Sequence, residues 1–132
     1  MENKQLVNHA IEARTRAYVK YSGFQVGAAI LTSTGKVYSG CNIENASYGL
    51  ANCAERTAVF KAVSEGETSF EAVAIAGDTD GPISPCGACR QVLAEFCSEN
   101  TQIILANLKG DYTVTNIQEL LPGFFSASDM EK

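Results

Sequence analysis

The sequence has little positive charge, a single histidine and no long apolar run, and each shortage removes a class of function. Ten Lys and Arg stand against 15 Asp and Glu, for a net charge of -5 at pH 7. Binding to a phosphate backbone needs a basic surface, so no nucleic-acid partner is expected. A small neutral ligand stays open. A membrane-spanning helix needs about 20 consecutive apolar residues, and no run approaches that, so no membrane partner is expected either. The stretch from Met1 to Lys20 mixes charged with apolar residues and lacks the apolar centre of a signal peptide. A cytoplasmic location is therefore expected. His9 is the only histidine, which leaves no paired-histidine metal site, and no motif supports a Ser-His-Asp arrangement. Its place in a helical pattern suits a surface or partly packed residue.

What is present suits one globular domain spanning residues 1–132. That length supports a single core, and 45% apolar with 19% charged residues is ordinary for such a chain. There are five cysteines. In a reducing compartment they stay as thiols, and an odd number suits a disulfide framework poorly, so metal or catalytic use is the better expectation.

Periodicity gives a coarse order of elements. Leu6, Val7, Ala10, Ile11, Ala13, Ala17 and Tyr18 recur at helical spacing, which predicts a helix from about Gln5 to Val19. Phe24–Leu31 and Lys36–Cys41 read as a hairpin about the Ser33-Thr34-Gly35 turn. Residues 42–51 read as a loop. A helix is expected from Asn52 or Cys53 to about Glu65, with Asn52 as its cap, Glu55 completing a capping box and Gly66 as the stop. Phe70–Ala76 is nearly continuous in apolar residues, as a strand buried on both faces should be. Pro85 suits the first turn of the next helix, whose stripe is Cys89, Val92, Leu93, Phe96 and Cys97. A strand at Thr101–Ala106 follows, and strand, helix, strand suggests a parallel crossover. Asp111–Val114 is a candidate last strand, and Asn116 caps a short helix to Leu121 before Pro122.

Chemistry concentrates in two stretches, Asn52-Cys53-Ala54-Glu55 and Ser84-Pro85-Cys86-Gly87-Ala88-Cys89-Arg90-Gln91. We read Cys53, Cys86 and Cys89 as thiolate ligands of one Zn2+ per chain. Three protein ligands leave a fourth position open, which separates catalytic from structural zinc. Alone, Cys-x-x-Cys also suits redox chemistry or a structural site. Cys-x-Glu followed by Pro-Cys-x-x-Cys is more specific: it is the signature of zinc-dependent nucleobase deaminases, whose glutamate moves protons and does not bind the metal. Three thiolates would leave zinc with a formal charge of -1. Two helix N-termini offset about one unit of that, and Arg56 and Arg90 are placed to hydrogen-bond sulfur. Surface charge is the alternative for both arginines, and Glu55 as a mere helix cap is the alternative for its role. Cys41 and Cys97 are expected to be packed free thiols.

The chain resembles the small homotetrameric cytidine deaminases of bacteria, within the cytidine and deoxycytidylate deaminase superfamily. The likeness runs from about Tyr21 to Phe125. It is carried by Phe24-Gln25-Val26-Gly27-Ala28-Ala29, by Gly40 to Tyr48, by Cys53-Ala54-Glu55-Arg56, by Pro85 to Gln91 and by Leu120-Leu121-Pro122. The resemblance implies an α/β fold, a three-layer α/β/α arrangement about a mixed five-stranded sheet. It implies hydrolytic deamination of cytidine and 2′-deoxycytidine, with attack of zinc-activated water at C4 and Glu55 as proton shuttle, in pyrimidine salvage. It further implies that Phe24 packs on the nucleoside, that Asn42 and Glu44 bind the ribose, and that the Ala54 N–H meets O2. Tyr48 and Phe125 would reach a neighbouring pocket in a homotetramer. Arg56, Arg90 and Gln91 would stand behind the metal ligands. Other amino-heterocycle substrates, and a zinc-stabilised interaction module without catalysis, are the competing functions.

Overall fold

Alternation along the central strands sets the layering. The computed structural model describes residues 1–130. It contains α1 (Asn3–Arg14), β1 (Val26–Thr32), β2 (Val37–Cys41), α2 (Ala54–Ser64), β3 (Phe70–Gly77), α3 (Gly87–Phe96), β4 (Gln102–Asn107), β5 (Tyr112–Thr115) and α4 (Ile117–Leu120). The sheet runs β2-β1-β3-β4-β5. Only β3 and β4 pair in parallel, joined through α3, so the sheet is mixed as expected. Successive side chains of a strand point to opposite faces. Ala28, Ile30, Val73, Ile75, Ile103 and Leu105 therefore meet α2, α3 and α4. Ala29, Ala72, Ala74, Ala76 and Ala106 meet Leu6, Val7 and Ala10 of α1. Helices cover both faces, which gives the three layers. Among the described residues no helix is long and apolar enough to cross a membrane.

Gly40 lets α2 lie close to the sheet. A Cβ there would stand 2.6 Å from the Ala58 nitrogen and 2.9 Å from the Ala54 carbonyl oxygen. The N-terminal turn of α2 is thus held against β2 by backbone contact, a firm seat for what that turn carries.

Several expected boundaries shift for local reasons. α1 ends at Arg14 and does not reach Val19. The Thr15 hydroxyl donates to the Glu12 carbonyl, and the chain turns so that the Tyr18 N–H reaches the Asn42 carbonyl at 3.0 Å. Tyr18 then bridges Ile43. The 42–51 loop is more ordered than expected, with Ile43 also bridged to Asn52 and a 3-10 turn at Tyr48–Leu50. The N-cap of α2 is Cys53, so Glu55 is its second residue and no capping box with Asn52 forms. Asn52 donates to the Thr57 hydroxyl instead. Likewise Cys86 caps α3, and Pro85 lies outside that helix. Asn116 does cap α4, accepting from the Glu119 N–H at 3.0 Å. His9 is exposed and Cys97 buried, as expected.

Candidate metal centre and substrate cavity

Two helix N-termini meet at one place, and both begin at a cysteine. Cys53 and Cys86 are the N-caps of α2 and α3, and Cys89 is in the first turn of α3. Neither cap makes a side-chain capping bond, so each sulfur is left to face the other helix. The Cys53 and Cys86 sulfurs are 3.9 Å apart, those of Cys86 and Cys89 3.3 Å, and all three lie within 4.8 Å of one another. Tetrahedral zinc with Zn–S bonds of about 2.3 Å needs sulfurs about 3.8 Å apart. The donor set therefore fits zinc.

The surrounding charges favour anionic sulfur. The Arg56 guanidinium donates to the Cys53 sulfur at 3.5 Å. A hydrogen bond from the Cys89 thiol, then the Arg56 cation, hold the Cys53 thiol down, to about 5. Its bond to Cys53, together with burial, pushes Cys89 upward. A shared site in which one sulfur ionises first is what thiols packed this tightly must show. Away from the cluster, burial alone pushes Cys97 up to about 12, consistent with a packed thiol outside the site.

Glu55 is 4% exposed, and burial raises its carboxyl above the ordinary value. It lines a cavity of about 170 Å³ with Phe24, Asn42, Cys53, Ala54 and Cys86, and with Val26, Ile75, Ile83 and Ser84. A buried carboxyl raised above its ordinary value, two sulfurs and a helix N-terminus thus share one small cavity. The first N–H groups of a helix have no partner within it, so the Ala54 N–H is a donor at the cavity wall.

Comparison with known proteins decides the family. Residues 1–105 match the cytidine and deoxycytidylate deaminase zinc-binding region. The chain belongs to the cytidine and deoxycytidylate deaminase family. It is 57% identical to a cytidine deaminase of Halalkalibacterium halodurans over 98% of both chains. It is 55% identical to that of Sporosarcina psychrophila, over 98% of this chain and 96% of the relative. The crystal structure of a cytidine deaminase from Burkholderia pseudomallei superposes with a TM-score of 0.92 at 51% identity, covering 95% of this chain and 100% of that one.

Within this deaminase some expected partners are brought together and others are not. Arg90 does not touch sulfur. It follows Cys89 by about 100° around the helix and points toward α4. Its guanidinium donates to the Pro85 carbonyl at 3.0 Å, to the Leu120 carbonyl, and to the Ser84 hydroxyl at 2.8 Å. Gln91 likewise reaches the Phe125 carbonyl at 2.8 Å. Both residues fasten the Cys86 loop and the C-terminal tail to α3. Asn42 accepts from the Val26 N–H and donates to the Phe24 carbonyl, both at 2.9 Å. One amide N–H and one lone pair remain for a ligand. Glu44 accepts from the Tyr21 N–H, the Ser22 N–H and the Ser22 hydroxyl. Those bonds, the hydroxyl's first, hold its carboxyl below the ordinary range. It does not line the Glu55 cavity but a second hollow, with Tyr21, Ser22 and Tyr48. Tyr48 and Phe125 are 82% and 60% exposed, so neither completes the cavity of its own chain. Sequence reasoning missed Val26, Ile75, Ile83 and Ser84 as lining residues. Val26 and Ile75 look like any strand residue, whereas Ile83 and Ser84, just before Pro85-Cys86, carry a positional signal.

Proposed function

We propose that this chain is a single zinc-dependent deaminase domain that converts cytidine and 2′-deoxycytidine to uridine and 2′-deoxyuridine with release of ammonia. The observation that carries the reading is the buried Glu55 carboxyl beside three convergent sulfurs in a cavity sized for one small ring. The names of the relatives support cytidine as substrate. When bound, zinc supplies an electrophile that makes water acidic near neutral pH.

The chain's own groups do the rest. Glu55 takes one proton of the attacking water and delivers it to ring N3, then takes the remaining proton from the new C4 hydroxyl and passes it to the 4-amino group. The C4–N bond breaks, ammonia leaves and the ring carbonyl of uridine remains. Burial raises the Glu55 carboxyl above its ordinary value, which makes it a better proton acceptor than a solvated carboxylate and suits it to that traffic. The Ala54 N–H holds O2. Phe24 packs on the nucleoside. The free N–H of Asn42 and the one acceptor site left on Glu44 meet the ribose hydroxyls. Arg56 balances the charge of Cys53, while Arg90 and Gln91 hold the loop that carries Cys86.

The protein acts as a homotetramer in which Tyr48 and Phe125 complete a neighbour's pocket, which accounts for aromatic side chains left so exposed. A cytoplasmic setting in pyrimidine salvage suits five free cysteines. The test is ammonia release from cytidine and from free cytosine. Turnover of cytidine alone supports the reading, and turnover of neither by zinc-loaded protein overturns it.

A further inference from the structure

Gly77 and Ile83 have no part in the chemistry above, yet they meet at the cavity. Gly77 ends β3 and pairs with Val26 on one side and Asn107 on the other. Its φ is not positive, so the backbone does not demand glycine. Space does. A Cβ at position 77 would stand 2.5 Å from Cδ1 of Ile83 and 3.5 Å from Cζ of Phe24. The δ-methyl of Ile83 occupies the room that a side chain at 77 would take. The Ile83 N–H reaches the Ala106 carbonyl at 3.4 Å, which ties its backbone to β4. The side chain is thus seated from two sides, and it lines the cavity with Phe24, Val26 and Ile75.

Cytosine has two unlike edges. O2, N3 and the 4-amino group carry its polar atoms, and C5–C6 carries only C–H. Glu55 and the Ala54 N–H, both on α2, match the polar edge. The C5–C6 edge is then left to the apolar lining, since a C–H edge gains nothing from polar partners and loses by stranding them.

We infer that Gly77 and Ile83 act as a coupled gauge for the C5 edge of the pyrimidine, setting how much bulk at C5 the site accepts. The inference rests on the deaminase reading. In Gly77→Ala the new Cβ displaces the Ile83 δ-methyl, and the gauge requires that it move into the cavity that Ile83 lines. In Ile83→Val the δ-methyl is removed and the cavity widens. In the double variant the methyl group introduced at position 77 fills the space the δ-methyl vacates, and the gauge resets.

The test is the ratio of kcat/KM for 5-methylcytidine to that for cytidine, measured on each zinc-loaded variant. Loss of folded protein affects both substrates equally and cancels. One methyl group in an apolar pocket discriminates by about tenfold or more. The ratio should fall about tenfold in Gly77→Ala, rise in Ile83→Val and return near the unaltered value in the double variant. Ratios unmoved in both single variants, or a double variant that keeps the Gly77→Ala ratio, overturn the inference alone. No turnover of cytidine by the unaltered protein overturns the deaminase reading and the gauge with it.

Discussion

Replacing Arg90 with alanine should cost stability and metal affinity together. The side chain makes two bonds to backbone carbonyls, Pro85 and Leu120, and a more exposed one to the Ser84 hydroxyl. A hydrogen bond from a charged group to a partly buried carbonyl contributes about 1.5 kcal/mol. Two give about 3 kcal/mol, with the exposed bond adding little. Unfolding entropy is about 2.1 cal/mol/K per residue. For 132 residues this is about 0.28 kcal/mol/K, so Tm should fall by about 10 °C. Pro85 precedes a sulfur donor, and groups that orient metal ligands are worth about 10–100-fold in affinity. Scanning calorimetry of the zinc-loaded protein reads the first effect, and competition with a chromophoric chelator reads the second. Arg90→Lys keeps the charge but not the fork, and should recover less than half of either. A Tm lowered by under about 3 °C, with zinc affinity unchanged, would refute the clasp.

The remaining predictions concern the thiols, the Glu44 anchor and assembly. Removing zinc from the folded protein should raise the thiol-reagent reactivity of three of the five cysteines, with Cys41 unchanged and the buried Cys97 slow in both states; zinc-dependent protection of all five would contradict the assignment. Because bonds from Ser22 and Tyr21 depress the Glu44 carboxyl, its stabilising effect is full above the ordinary value of 4.5 and fades as pH falls through the depressed one. The stability gap between the unaltered protein and Glu44→Gln should therefore narrow on acidification below that value, as denaturant titrations at several pH values will show; a gap that widens would exclude the anchor. Dilution to monomer should abolish turnover if Tyr48 and Phe125 serve a neighbour, and a fully active monomer would disprove it.

How much of this was legible in the sequence differs by residue. The hairpin, the buried β3 run and the Asn116 cap carry their signals locally, in turn residues, apolar continuity and a capping side chain, and each is found in place. The end of α1 was not legible. Ala17 and Tyr18 continue the apolar spacing, but a bridge from Tyr18 to Ile43, 25 residues on, takes Tyr18 out of the helix. The convergence of Cys53, Cys86 and Cys89 was legible because Cys-x-Glu and Pro-Cys-x-x-Cys together form a specific pattern and each falls at the start of a helix. The role of Arg90 was not, because its partner Leu120 is 30 residues away. Nor was the double duty of Asn42 and Glu44, whose side chains hold the Tyr21–Val26 segment as well as face the hollows. Such bonds depend on tertiary placement, which spacing along the chain does not encode.

The central claim is that a buried glutamate moves the protons at a three-thiolate zinc site. Glu55→Gln tests it most directly, because the amide keeps the shape of the side chain and cannot shuttle a proton. Zinc content, Tm and cytidine turnover should be measured on the same preparation. The account predicts one zinc per chain, an intact fold and turnover reduced by at least about 10²-fold. Full activity in a zinc-loaded Glu55→Gln protein would contradict it.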